Sequence, residues 1–584
     1  MESRRSSRQI VRFGRFELDQ AAGELRKDGL KLRLQEQPLQ VLEILLEQPG
    51  KVVTREELQG RIWPSDTFVD FDHGINNAIK RLREVLGDTA DTPRYVETLP
   101  RRGYRFIGKI ETEGQRLRSL AVLPLENLSH DPEQEYFADG LTEALITTLA
   151  KIGELRVSSR SSSMLYKGVR KPLREIASEL SVDRIVEGTV LRDRDRVRVT
   201  AQLIDPGNDA HLWAESYERH LSHILDVQAE VAQAIARQIQ IKLTPQEQAQ
   251  LAQKHSVDPE AYEAYLKGRY HWLKRSPEGH ANAIRYFCEA IEKDSACAVA
   301  YAGLSDAVAI MGLWGLVSPD EGSGKAKTLA SKALELDSSL ADAHTSAAWA
   351  AAHYDYDLSF AEEEFERAIE LNPRSSIAHD WFGMTLGMAG RYEEAFTELK
   401  RAVRLDPHVS VVRFGMAFVY WCGRLYDEGI QACSDALQLD PHSTQAHVWL
   451  GLCHVAKSDI KPAIAALERA VELSDGAPVA SACLGEAYAA GGCSDEAHRI
   501  LAELSRHQHL TKYFMSRIFV ALDRLDEALK WLEEAYREHG EWVPLLKVDP
   551  RFDGLRSDFR VQNLLRRMQL SDATPPLLSA QMPQ

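Results

Sequence analysis

Asn76, Asn77, Lys80, Arg81 and Arg83 crowd into one run, INNAIKRLREVLGD, in which Glu84 is the one acid before the closing Asp88. Their chemistry is recognition rather than catalysis. A carboxamide can exchange two hydrogen bonds with an adenine edge, and a guanidinium or ammonium can donate to guanine. A second cationic group, Arg101 and Arg102, stands in TLPRRGYRFIGKIE, residues 98–111, ahead of the strand-forming Tyr104, Phe106 and Ile107. Cations at a hairpin tip bury nothing. They either guard an edge strand against aggregation or touch something negative.

The elements that must hold these side chains are legible from periodicity. Ile75, Ile79, Leu82 and Leu86 follow i, i+4, i+7, i+11 and make one apolar helical face. The amides and cations lie off it, where a solvated polar face is the plain alternative to a recognition surface. Upstream, Leu39, Leu42 and Leu46 with Val41 and Leu45 form another stripe, closed by Gly50. Thr54 and Glu57 make a capping-box pattern that opens a second helix. Asp72 is expected to cap the third helix, and Gly87 to end it. IVRFGRFELD, GELRKDG and LKLRL read as short strands before the helices.

Strands, three helices and a basic hairpin, in that order over roughly residues 10–110, resemble the OmpR/PhoB-type winged-helix DNA-binding domain. The motifs that carry the resemblance are GKVVTREEL, INNAIKRLREVLGD and YVETLPRRGYRF. It implies that the third helix enters the major groove of double-stranded promoter DNA and that the hairpin, the wing, meets backbone or minor groove. Asn76, Asn77, Lys80, Arg81 and Arg83 are then expected as recognition-helix contacts, and Arg101, Arg102 and Tyr104 as wing contacts. Tyr104 carries a second expectation, packing the wing on the third helix. Thr54 is expected to bring the second helix's N-terminus toward a phosphate. Family members with a receiver domain place it ahead of this module. Few residues precede the first strand here, so no receiver is expected. CadC-like members follow the module with a membrane helix. Here KIETEGQRLRSLAVLPLENL reads as a polar linker running into a strand.

Residues 117–244 mix strands and helices and read as a small α/β domain. LAVLPLENLS, YFADGLTEALITTLAKI and AQLIDPGNDAHLWAESYER resemble the TolB N-terminal-like domain, which implies sensing of a ligand or protein. No phosphate-cradling loop, metal-ligand spacing or nucleophile elbow is visible, so no catalytic residue, cofactor or metal is expected. Asp139 and Glu143 are expected as exposed acids near a helix start, and RDRDR, residues 192–196, as a solvated hairpin tip.

Beyond residue 257 the chain repeats. Pro373, Pro407 and Pro441 recur at a step of 34, with Ala395, Leu399 and Ala402 inside a unit and small Gly383, Gly451 and Gly485 at an equivalent position. This resembles tetratricopeptide repeats, helix pairs that stack into an all-α solenoid. The resemblance implies a peptide or protein partner in the concave groove, or self-association as a homodimer. The array is expected over 257–540 in roughly eight units, with 541–570 as a terminal cap that shields the last apolar face. Trp381, Tyr420, Trp421 and Trp449 read as stacking residues, and His271, His379, His447 and His454 as structural or surface groups.

Charge supports the division. The 584-residue chain carries a formal charge of −16, yet residues 1–115 hold 20 basic against 19 acidic side chains. That leaves room for a DNA-facing module on an acidic protein. The seven cysteines include no C-x-x-C pair and suit buried thiols in a reducing compartment. No signal peptide or membrane span is read, so a cytoplasmic protein is expected. The whole reads as a multidomain, non-enzymatic regulator that binds DNA. The alternative is a repeat scaffold whose winged helix mediates protein contacts.

Overall fold

The computed structural model describes residues 10–13, 16–19, 23–27, 30–32, 34–63, 71–89, 93–99, 102–108, 110–111, 118–129, 131–239, 241, 243–244, 248, 258–274, 276–506 and 512–570. They fall in two compact units, Met1–Leu117 and Arg118–Gln584.

The first unit opens with strands β1 (Ile10–Phe13), β2 (Phe16–Asp19), β3 (Glu24–Lys27) and β4 (Leu30–Lys31), an antiparallel meander closed on its other edge by β8 (Ile110–Glu111). Between them lie α1 (Glu36–Glu47), β5 (Val52–Thr54), α2 (Arg55–Ile62), α3 (Phe71–Leu86), β6 (Val96–Leu99) and β7 (Gly103–Phe106). The apolar stripes pack as their spacing requires. Val41, Leu42 and Leu45 of α1 and Ile75, Ile79, Leu82 and Leu86 of α3 are buried in one core with Phe13, Phe16 and Phe106. The third helix starts at Phe71, so Asp72 lies inside it and is not its cap. The turn before α3 falls outside the described residues.

Strands β5, β6 and β7 form a second small sheet in the order β5-β7-β6. Gly103 makes that order achievable. It pairs with Thr54 and Leu99 at φ +143°, and a Cβ there would collide with the backbone oxygen of Val53. Only glycine allows so close an approach at that conformation.

In the second unit, β9 (Arg118–Val122), β10 (Glu126–Asn127), α4 (Glu135–Ala150), β11 (Leu155–Val157), α5 (Arg160–Met164), α6 (Leu173–Glu179), β12 (Arg184–Asp193), β13 (Arg196–Asp205), β14 (Ala210–His220) and α7 (Ile224–Gln238) follow in order. The sheet runs β11-β9-β12-β13-β14, parallel around β9 and antiparallel from β12 onward, with β10 pairing β12. Helices α4 and α7 cover one face, and α6 covers part of the other.

Two expectations fail in this domain, part of whose surface is a junction with the repeats. Asp139 is buried and meets Lys167 Nζ at 2.6 Å, while Glu143 binds Arg269 of the first repeat helix and lies 3.4 Å from Arg160. The RDRDR tip is not simply solvated either. Arg192 donates to Tyr136 Oη at 2.9 Å and to Glu263 at 2.5 Å, again on the first repeat helix. Burial pushes the Glu263 carboxyl up, but Arg192, Lys267 and Tyr136 outweigh it and hold it down at about 2.

Eight helix pairs follow among the described residues, from Pro259–Trp272 with Pro277–Lys293 to Lys512–Ala521 with Leu525–Arg537. First helices of successive pairs, such as Ser410–Cys422, Thr444–Ala456 and Pro478–Ala490, pack side by side as an inner layer. The small residues explain the close pairing: a Cβ at Gly383 would come within 2.7 Å of Leu399 on the partner helix. Three successive turns are pinned in the same way. His379 and His447 each bond a turn carbonyl at 3.2 Å, those of Pro373 and Pro441, and Arg413 donates to Pro407 at 3.3 Å.

The C-terminal region corrects one expectation. Helix Phe559–Arg567 packs on Leu525–Arg537. Residues 540–556 instead turn back along the inner layer, where Val543, Leu545, Leu546, Val548 and Phe552 are almost fully buried. They enclose an ion cluster: Arg517, wholly buried, meets Glu486 at 2.7 Å and Asp549 at 3.6 Å, and Arg551 also binds Glu486. Among the described residues, no helix is long and apolar enough to cross a membrane.

Candidate nucleic-acid interface

The side chains singled out in the first unit divide into two groups by what they touch. The capped second helix comes first. Thr54 sits in extended backbone, exposed, and its Oγ1 accepts from the Glu57 amide at 3.2 Å. Glu56 and Glu57 in that first turn offset the helix's positive end.

On α3 the polar face carries Asn76, Asn77, Lys80 and Arg81, all exposed. Among the described residues, the side chains of Asn77 and Lys80 make no hydrogen bond or ion pair. Asn76 is committed at one atom: its Oδ1 accepts from Tyr104 Oη and from Arg55 Nη2, both at 2.9 Å. Arg81 bonds Gln35, just before α1. Arg83 is half-buried and donates to Val96 O at 2.7 Å and Thr98 Oγ1 at 2.8 Å, tying α3 to the first strand of the wing.

At the hairpin, Arg102 is exposed, and among the described residues its side chain has no partner. Arg101 lies outside the described residues. Tyr104 is not a contact surface: it is 2% exposed, its hydroxyl bonds Asn76, and Arg55 donates to it while lying 5.3 Å over its ring. Of the two expectations for Tyr104, packing is the one the geometry meets. Arg83 is likewise engaged inside the unit, its guanidinium held by the two acceptors of the wing's first strand.

Two residues that fix the interface escaped sequence reading. Arg55 organises the Asn76–Tyr104 contact, and nothing in TREEL distinguishes it from a surface cation. Asp88 follows the helix-ending Gly87 and is buried. Its carboxylate accepts from the amides of Thr89, Arg94, Tyr95 and Val96 at 2.7–3.0 Å. Burial pushes its carboxyl up, but the four amides outweigh it and hold it below its usual value. The signal was present: an Asp directly after a terminal Gly is placed to collect a following turn. Asp88 thereby sets the angle at which the wing leaves α3.

A capped helix, a third helix with an open polar face, and a pinned hairpin are what a groove reader needs. Residues 29–106 match the family model described as transcriptional regulatory protein, C terminal. This segment is a domain of that family. Residues 357–410 and 419–478 match the tetratricopeptide repeat. The first match takes in α1 to β7, so every side chain just described lies within the family domain. Among curated relatives, a Rhizobium meliloti (strain 1021) protein provisionally named adenylate cyclase 3 is 39% identical over 229 residues, covering 39% of this chain and 39% of its own. The cholera toxin transcriptional activator of Vibrio cholerae is 35% identical over 81 residues, 14% of this chain and 28% of its own. The transcriptional regulator HilA of Salmonella typhi is 23% identical over 384 residues, 64% of this chain and 66% of its own. The chain thus spans about two fifths of the length of the first relative, under a third of the second and just under two thirds of the third.

Proposed function

We propose that the chain is a sequence-specific, DNA-binding transcription regulator that works in the cytoplasm and carries no catalytic activity of its own. The observation that carries this reading is the open polar face of α3. Asn77 and Lys80 stand exposed and, among the described residues, unengaged, with the apolar side of the same helix locked into the core. In the proposed complex α3 lies in the major groove, Asn77 and Lys80 meet base edges, and Asn76 offers its free amide nitrogen to a base or phosphate. Arg81 supplies phosphate contact after releasing Gln35. Arg102, with Arg101 beside it, meets the backbone or minor groove, and the N-terminus of α2 behind Thr54 approaches a phosphate. The α/β domain and the repeats supply sensing and partner contact.

The test is a mobility-shift titration of the full chain on genomic fragments at several salt concentrations. Binding that weakens with salt, and a changed sequence preference on altering Asn77 or Lys80, supports the reading. The alternative is a scaffold whose first unit binds protein. It is favoured by the near balance of charge in that unit and by Arg61, Arg83 and Arg105 being bonded internally. It predicts no salt-dependent shift on any fragment.

A further inference from the structure

The inner face of the repeats is already read by the chain itself. Residues 540–556 lie on it in short turns of tight helix, Val543–Lys547 and Pro550–Leu555, separated by Val548 and Asp549. Their backbone is received by side chains of the repeats, which is how a groove holds a foreign peptide. Tyr356 Oη donates to Gly540 O at 3.0 Å, His353 Nδ1 to Glu541 O at 2.9 Å, and Arg424 Nη1 to Val548 O at 2.6 Å. Side chains are received too. The Trp542 ring lies 6.1 Å from Trp449 and 5.4 Å from Phe514, and its Nε1 donates to Leu313 O at 2.8 Å. Asp549 accepts from Tyr513 at 2.8 Å and faces Arg517, while Arg551 completes the pairing of Glu486. The hydrogen-bonding partners come from repeats 2, 3, 5 and 8, so one segment bridges much of the array.

We propose that residues 540–556 are a tethered occupant of a peptide-reading face, and that the partner this face accepts is a protein segment of the same chemistry. Such a segment carries an indole, an apolar pair, and an aspartate two residues ahead of an arginine. The proposal rests on the reading that the repeats make partner contacts. The spacing Trp542, Leu545–Leu546, Asp549, Arg551 supplies the pattern. Charge complementarity argues for it: Arg517 and Glu486 belong to the face, and the segment brings Asp549 to the first and Arg551 to the second, so a purely apolar competitor would leave both underpaired. The tether matters as much as the contacts. The last repeat helix ends at Arg537, only a few residues before the segment. A short link gives it a local concentration on the order of millimolar. Only a partner that matches the full pattern competes.

Hydrogen exchange on the intact chain tests this. Amides of 541–556 are expected to exchange about tenfold or more faster than those of Thr444–Ala456 and Pro478–Ala490 beneath them, as a locally opening unit does. An excess of synthetic peptide with the sequence of residues 539–558 should raise exchange in the chain's own segment and leave both helices protected. Trp542→Ala in the full chain should tighten binding of the labelled peptide. Exchange of 541–556 in step with the helices, or faster exchange with no peptide capture by either chain, overturns the proposal. Neither result bears on the mobility shift, so failure here is distinct from failure of the DNA-binding reading.

Discussion

Arg102 at the hairpin and Arg517 in the repeats are the same side chain in opposite states. Arg102 is exposed, and its side chain has no partner among the described residues. Arg517 is wholly buried, flanked by Glu486 and Asp549 and stacked against Trp421 and Phe514 at 5.4 and 4.9 Å. A buried guanidinium must find its counter-charges within the fold, because desolvation costs too much otherwise. An exposed one owes the fold nothing and keeps its five donors for something else. The same contrast runs through α3 on a smaller scale. Arg83 is committed to the wing, and Lys80 is open. Charge alone therefore does not mark a binding residue.

Breaking the committed side gives the largest effects. Glu486→Ala leaves Arg517 buried with its nearest counter-charge gone and is expected to cost about 3–5 kcal/mol, read as a shift in the urea midpoint of the second unit. Arg102→Ala, by contrast, should change stability by no more than about 0.5 kcal/mol. If both variants unfold alike, the comparison fails. Gly103→Ala comes next. It forces a side chain into φ +143° and onto the Val53 oxygen, so a loss of about 1–3 kcal/mol is expected, with weakened DNA binding as the wing shifts. Lys80→Ala should leave the melting curve in place and relax the sequence preference by about 1–3 kcal/mol at the base pair it reads, measured on a panel of sites.

A subtler test uses pH. Burial pushes the Glu541 carboxyl up to about 8, against two hydrogen bonds from Ser323 that act the other way. The folded state then holds a proton that the unfolded chain releases near 4.5, so stability falls as pH rises from about 4.5 through 8. Buried His353 sits at about 4 against an ordinary 6.5, and there the unfolded chain binds the proton first, so stability rises with pH over that range. The two trends oppose each other below 6.5. The clear window is from about 6.5 to 8, where thermal unfolding should shift downward with pH, and Glu541→Gln should flatten it.

Local patterns were legible in the chain itself. The helical stripes of α1 and α3, the Thr54 cap and the step of 34 residues depend on spacing within one element or one repeat, and the structure follows them. The polar face of α3 was equally visible. What was hidden depends on distance in space. Tyr104 meets Asn76 across 28 residues, and Arg269 meets Glu143 across 126. Nothing in either neighbourhood announces the partner, so Tyr104 read equally as a wing contact and as packing on the third helix, Arg83 as a contact, and Asp139 and Glu143 as exposed acids. The segment 540–556 was hidden for a different reason. It has no period, and two prolines interrupt it, so it reads as the trailing end of a solenoid rather than as something laid across it.

The account turns on whether uncommitted cations of the first unit meet DNA. The direct measurement is the dependence of DNA affinity on salt, by fluorescence anisotropy, for the intact chain and for Arg102→Ala. Log affinity should fall linearly with log salt, and the variant should have a slope shallower by about 0.9, the share of one lost phosphate contact. Binding that ignores salt, or a slope that the variant leaves unchanged, would contradict it.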